Sequence, residues 1–225
     1  MKQKRKYYFF TNNSSKSQQD YIEKLERFGI RIKRQQMMTS THVISRYLKQ
    51  HYEGKSVYVL GPPSLIQEFQ YFGINVTEED PDIVVLGFDT TLTYEKLSKA
   101  CHYIRNGCIY FGINPDWNCP MEGGAFIPDC GSIAKLIEAS TGRFPEFFGK
   151  PSKHTLDYII QETGYEPDEI AIVGDRLYTD IAVADQSDVM SILVLSGEST
   201  REDVKTSDVK PNVILEDLSE ITKML

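Results

Sequence analysis

Gly174-Asp175-Arg176-Leu177-Tyr178-Thr179-Asp180 follows the apolar run Ile170 to Val173 and precedes a helical pattern from Thr179 to Ala184. A glycine and an aspartate at the carboxyl end of a strand, with a second aspartate five positions on, present carboxylates to a hard cation from the edge of a parallel sheet. The same grammar of strand, polar turn and helix recurs outward in both directions. Tyr7 to Phe10 reads as a buried strand, Thr11 to Ser15 as the turn leaving it, and Ser17 with Asp20 as a capping box that opens a helix through Phe28.

A second helix is predicted over Ser40 to Gln50. Val57 to Leu60, Ile83 to Leu86 and Cys108 to Ile113 read as strands, with Leu65 to Phe72 and Tyr94 to Asn106 as the helices among them. Helices over Ser132 to Thr141 and Ser152 to Gln161 frame a strand end at Phe147-Phe148. Ile192 to Leu195 is a further strand and Leu218 to Met224 a last helix. Strands and helices taking turns imply an α/β fold, a parallel sheet covered on both faces.

The chain has 225 residues, 40% of them hydrophobic, and a net charge of -7. That acidity excludes non-specific affinity for nucleic acid or an anionic membrane. Lys2, Lys4, Arg5 and Lys6 are followed only by the short run Tyr7 to Phe10. No apolar stretch approaches the roughly 20 residues that span a bilayer, and a cytoplasmic protein is expected. Cys101, Cys108, Cys119 and Cys130 contain no C-x-x-C pair and read as buried reduced thiols. His42, His51, His102 and His154 form no metal-ligand spacing and read as surface or helix-packing residues.

Thr11-Asn12, Lys150, Asp175 and Asp180 lie at or just past the carboxyl ends of predicted strands, where open α/β sheets bind ligands. A threonine hydroxyl with the following backbone N–H groups holds phosphate oxygens. A lysine neutralises phosphate and a neighbouring carboxylate, and aspartates hold magnesium. Together they form an electrostatic clamp for a phosphoryl group.

At these residues the chain resembles the haloacid dehalogenase superfamily. TNNSSKS (Thr11 to Ser17), GKPS (Gly149 to Ser152) and GDRLYTDI (Gly174 to Ile181) are similar to its second, third and fourth motifs. INPDWNCP (Ile113 to Pro120), PDCGS (Pro128 to Ser132) and ILVLSGEST (Ile192 to Thr200) resemble its NagD-type, p-nitrophenyl phosphatase-like branch. The resemblance implies a Rossmann-like parallel-sheet core, residues 1–53 and 147–225, with an inserted α/β cap at 54–146. It implies a Mg2+-dependent phosphatase of a small phosphorylated metabolite, and a homodimer through cap surfaces. Thr11 and Asn12 would contact the phosphoryl group, and Lys150 would stabilise it. Asp175 would ligate Mg2+, with Asp180 as an indirect metal partner, acting through a water or through a ligand it contacts. Asn114, Asp116, Asp129 and Gly131 would be the cap's substrate-selecting residues.

The chain departs from the family at one place. An Asp-x-Asp-Gly motif on a central first strand is expected some tens of residues before the Thr-Asn loop, yet only Met1 to Phe10 precede Thr11, and they contain no acidic residue. The first of those aspartates is the nucleophile and the second the general acid and base. Asp89, after the strand Ile83 to Leu86, lacks the second aspartate and the glycine, and reads as a cap loop residue. The expectation is a truncated chain with little or no turnover. Its core sheet either closes up, pairing the strands that end at Thr11 and Gly174, or leaves two open edges. The alternative is a non-catalytic protein that binds a phosphorylated ligand or a partner chain.

Overall fold

The computed structural model describes residues 5–221. They fall into two compact units, Met1–Gly149 and Lys150–Leu225. The expected core segments, 1–53 and 147–225, draw on both units, and the expected cap lies within the first.

In the first unit, β1 (Phe9–Thr11) pairs in parallel with β2 (Met37–Thr39). Between them runs α1 (Gln18–Arg27), opened by the predicted capping box of Ser17 and Asp20. After β2 comes α2 (Ser40–His51). A five-stranded parallel sheet then takes in β3 (Ser56–Leu60), β4 (Asn75–Val76), β5 (Ile83–Leu86), β6 (Ile109–Gly112) and β9 (Glu146–Phe147). Its spatial order is β4-β3-β5-β6-β9. Helices α3 (Pro63–Tyr71), α4 (Tyr94–Arg105) and α5 (Cys130–Thr141) connect these strands. The antiparallel pair β7 (Asn118–Pro120) and β8 (Phe126–Pro128) stands apart from that sheet.

All four residues of β5 are fully buried, which is why it reads as a continuous apolar run rather than an alternation. Tyr58, Leu60, Val84, Leu86 and Tyr110 pack with Ala100, Cys101 and Ile104 of α4 and Cys130, Ile133, Ala134 and Ile137 of α5. On α2, Tyr47 stacks near Phe111 and Phe148, with ring centroids 6.0 and 4.7 Å away.

The second unit holds α6 (Lys153–Thr163), β10 (Ala171–Gly174), β11 (Met190–Val194), α7 (Arg201–Thr206) and β12 (Val213–Leu215). Its three strands form one parallel sheet in chain order. The helix predicted over Thr179 to Ala184 is instead one wide turn, Leu177–Ile181, followed by a tight turn, Ala182–Ala184. The wide turn is closed by the Ile181 N–H donating to the Arg176 carbonyl at 3.1 Å. The helix predicted over Leu218 to Met224 begins as a short tight turn, Leu218–Glu220, and residues 222–225 lie outside the described ones.

Sheets β1-β2 and β10-β11-β12 are separate. Among the described residues, the sheet pairings within each unit are β1 with β2 and β10 with β11. All four cysteines are free thiols; Cys101 and Cys130 are buried as expected, whereas Cys108 and Cys119 are only half-buried.

Two titratable groups, the buried Glu68 and the half-buried His42, tie the first helices down. Glu68 of α3 accepts the Gln18 N–H at 3.0 Å, capping α1 from a neighbouring helix, while its Oε2 has no hydrogen-bond partner. Burial pushes its carboxyl up to about 6 from 4.5. The protonated form is favoured by folding, so stability falls as pH rises from 4.5 through about 6, by about 2 kcal/mol in full. His42 Nδ1 meets Thr39 Oγ1 at 2.7 Å, and burial with Arg34 and Arg46 nearby lowers it to about 4 from 6.5. Its effect has the opposite sign: stability is lost as pH falls from 6.5 through about 4. Glu68→Gln is therefore expected to gain on the parent protein between pH 4.5 and 7.5 in urea midpoints measured side by side, where His42 cancels. A difference between the two proteins that does not change with pH would refute this.

Candidate active site

Residues implicated by sequence gather in two places, one in each unit. In the second, Lys150 Nζ donates to Asp180 Oδ1 at 2.5 Å, with both side chains nearly buried. The wide turn after β10 puts Asp180 there, folding it back over the strand end. Gly174 permits the approach, because a Cβ at that position would stand 2.2 Å from the Asp180 Cβ. Asp180 Oδ2 also accepts the Arg176 N–H at 3.2 Å, so both carboxylate oxygens are engaged.

Asp175 follows β10 directly. Its Oδ2 accepts the Glu198 N–H at 2.9 Å, and its carbonyl accepts the Ser199 N–H at 3.0 Å. Glu198 in turn pairs with Arg176 Nε at 2.7 Å and accepts the Tyr178 hydroxyl at 2.7 Å. Ser199 Oγ accepts the Leu177 N–H at 3.1 Å. Sequence reasoning gave no role to Glu198 or Ser199, although the SGEST run that carries them was visible as a motif. Among the described residues no group of three or more His, Cys, Asp or Glu side chains could hold a metal by itself.

In the first unit, Thr11 closes β1 and Asn12 follows it, 9% exposed. Thr11 Oγ1 accepts the Asn13 N–H at 3.2 Å, and Asn13 Oδ1 accepts the Ser15 N–H at 3.0 Å. These side-chain turns coil the loop on itself. Ser40 Oγ, at the start of α2, donates to the Asn12 carbonyl at 2.8 Å.

The four expected cap residues lie against this loop. Asn114, Asp116, Asp129 and Gly131 are all buried. Asp116 Oδ2 accepts from Asn12 Nδ2 at 2.9 Å and from Asn114 Nδ2 at 3.0 Å. Asn114 Nδ2 donates also to Asp129 Oδ1 at 3.0 Å, and Asn114 Oδ1 accepts the Ser14 hydroxyl at 3.1 Å. Asp129 caps α5 by accepting the Cys130 N–H. Gly131 donates its N–H to the Asp116 carbonyl at 2.8 Å, and a Cβ there would lie 2.3 Å from the Pro115 oxygen.

The five-stranded sheet reverses its strand order between β3 and β5, the place where such sheets receive ligands at their carboxyl ends. Here the chain fills that place with its own loop. Ser14, fully buried, accepts the Phe88 N–H just past β5 at 2.8 Å, and Ser64 Oγ donates to the Ser15 carbonyl at 3.2 Å. Asp89, beside them, is bound to Lys96 Nζ at 2.9 Å and to the Thr91 hydroxyl at 2.7 Å, with its side chain fully buried. Its placement fits the loop role read from the sequence.

Two family models match the chain, one described as haloacid dehalogenase-like hydrolase over residues 1–75 and one as HAD-hydrolase-like over 147–221. An acid sugar phosphatase of Staphylococcus aureus is 35% identical over 208 residues, 92% of this chain and 80% of that protein. Among solved structures, a 4-nitrophenylphosphatase of Thermotoga maritima is 42% identical with a TM-score of 0.91, covering 96% of this chain and 83% of that one. NagD of E. coli K-12 is 31% identical with a TM-score of 0.86, over 95% and 84%.

Proposed function

The chain belongs to the haloacid dehalogenase-like hydrolases, in their NagD-type branch, and we propose that it is a phosphatase of the cytoplasm acting on a small phosphorylated metabolite, with Mg2+ as cofactor. The observation that carries this reading is the Lys150–Asp180 pair beside Asp175 at the end of β10. A hydrogen-bonded lysine held there neutralises charge on a phosphoryl group without reorganising. Thr11 and Asn12 hold the phosphoryl oxygens. Sugar phosphates are the favoured class, from the name of the Staphylococcus relative. A homodimer through surfaces of residues 54–146 belongs to the same proposal.

The donor set fits magnesium. Mg2+ is commonly held by one or two carboxylates, with substrate phosphate and water completing its octahedron. Asp175 supplies a carboxylate whose orientation is fixed by the Glu198 N–H, and Asp180 is bound to Lys150. When bound, the ion would neutralise phosphoryl oxygens as charge develops. The proposed route is in-line attack by an aspartate carboxylate on phosphorus, forming an aspartyl-phosphate as the substrate's P–O bond breaks and its alcohol leaves with a proton, after which water hydrolyses the aspartyl-phosphate to inorganic phosphate and the free carboxylate.

A second reading, a non-catalytic protein that binds a phosphorylated ligand or a partner chain, is favoured by one observation: both Asp180 oxygens are already engaged, by Lys150 Nζ and by the Arg176 N–H. One assay separates the two readings: hydrolysis of p-nitrophenyl phosphate by the folded chain with Mg2+, with EDTA, and in Asp175→Asn. Turnover lost at least a hundredfold in both the EDTA and Asp175→Asn arms is the phosphatase result. No turnover together with saturable phosphate binding supports the second reading.

A further inference from the structure

We propose that Asp116 is a positioning residue for the phosphate-contacting loop, acting through the side-chain amide of Asn12, in place of the substrate-selecting role implied by resemblance. The inference rests on the phosphoryl role of Thr11 and Asn12 proposed above. Asn12 is held at two points: its carbonyl by Ser40 Oγ at 2.8 Å and its side-chain nitrogen by Asp116 Oδ2 at 2.9 Å. A residue fixed through both backbone and side chain cannot rotate, and the main-chain torsions on either side of it are set with it.

What holds Asp116 is as specific as what it holds. The same Oδ2 accepts from Asn114 Nδ2, which is bound in turn to Asp129 Oδ1, and Asn114 Oδ1 receives Ser14 from the far end of the loop. The loop is thus gripped at Asn12 and at Ser14 by neighbouring acceptors of one buried network. The Asp116 carbonyl is fixed by the Gly131 N–H, at a contact too close for any side chain at residue 131. Asp116 is 5% exposed and Asp129 4%, so neither carboxylate presents a surface on which a sugar or other leaving group could be sorted. Hydrogen bonds to a charged acceptor are among the stronger ones, and their loss leaves buried amide hydrogens unsatisfied. The cost therefore falls on loop geometry, and geometry is what a phosphate site depends on.

The test is titration of the full chain with inorganic phosphate and, separately, with a hexose 6-phosphate. Binding is read from the backbone amide resonances of Thr11 to Asn13 and the side-chain amide of Asn12. Asp116→Ala is expected to weaken both ligands by the same factor, at least tenfold. Asp116→Asn, whose Oδ1 still accepts from both amides, is expected to stay within threefold of the parent. Asn12→Ala is expected to match Asp116→Ala, with no further loss in the double variant, and it keeps the question open to refutation if Asp116→Ala does not fold. Weakening of the hexose phosphate alone assigns selection to Asp116 and overturns the proposal. So does unchanged phosphate affinity in a folded Asp116→Ala or in Asn12→Ala. If the parent chain shows no phosphate-dependent shift at this loop, the phosphoryl role itself fails and the positioning role falls with it.

Discussion

Lys150→Ala is expected to lower p-nitrophenyl phosphate turnover by at least a hundredfold and to destabilise the protein at the same time. Both effects come from one contact. Lys150 and Asp180 are nearly buried and 2.5 Å apart, and removing one member of such a pair strands the other charge at a cost of about 3–5 kcal/mol. On the proposed phosphatase reading, catalysis would also lose the cation that faces the phosphoryl group. The two effects separate in Lys150→Ala/Asp180→Asn, which no longer buries an unpaired carboxylate. That double variant is expected to recover most of the urea midpoint and none of the turnover. If stability and turnover return together, Lys150 acts only through the fold.

The second large effect is expected at Gly131→Ala, about 3 kcal/mol of stability, judged by the scale of overpacking. The added Cβ would meet the backbone oxygens of Pro115 and Asp116 at 2.3 and 2.9 Å. Backbone atoms cannot swing aside like the end of a long side chain, so the turn carrying Asp116 must move. Urea unfolding at neutral pH measures the loss, and a cost below 1 kcal/mol would mean that the Pro128-to-Ser132 turn tolerates displacement. The same substitution is expected to weaken phosphate at the Thr11 loop, because Asp116 moves with its carbonyl.

Most of the α/β alternation was legible because each major strand is an apolar run bounded by Gly, Pro or polar turns, as with Ile83 to Leu86 before Gly87. The elements that escaped are short. Strand β2, Met37–Thr39, has three residues, all buried, and follows the polar Lys33 to Gln36 with no glycine or proline to mark its start. Strands β7 and β8 carry prolines at their ends and present few apolar residues in alternation. The turn at Leu177–Ile181 shares helical composition with a true helix, and only the backward pull of Asp180 onto Lys150 distinguishes it.

At the candidate site, motif chemistry pointed to Lys150, Asp175 and Asp180 through their combination at strand ends, since each motif alone is as easily structural. It could not place Asn114, Asp116, Asp129 and Gly131. Polar residues in Pro- and Gly-rich turns look exposed in a sequence, and only tertiary packing reveals that these are buried, with Asp116 bound to Asn12 and Asn114 to Ser14. Glu198 escaped for the same reason: its backbone N–H, which holds Asp175, has no signature in the side-chain alphabet.

The loop at Asn12 to Ser15 has a bearing on how the chain is made. Ser14 bonds to Phe88 across 74 residues, and Asn12 bonds to Asp116 across 104. Contacts of that sequence separation come late in folding, since the intervening chain must first be closed into a loop. During vectorial synthesis the Thr-Asn motif emerges before these partners, Asp116 following Asn12 by 104 residues. A nascent chain stalled before Asp116 therefore carries the motif without these bonds, and on the proposed phosphoryl role of Thr11 and Asn12, recognition at this loop would begin only after the segment through Gly131 has left the ribosome.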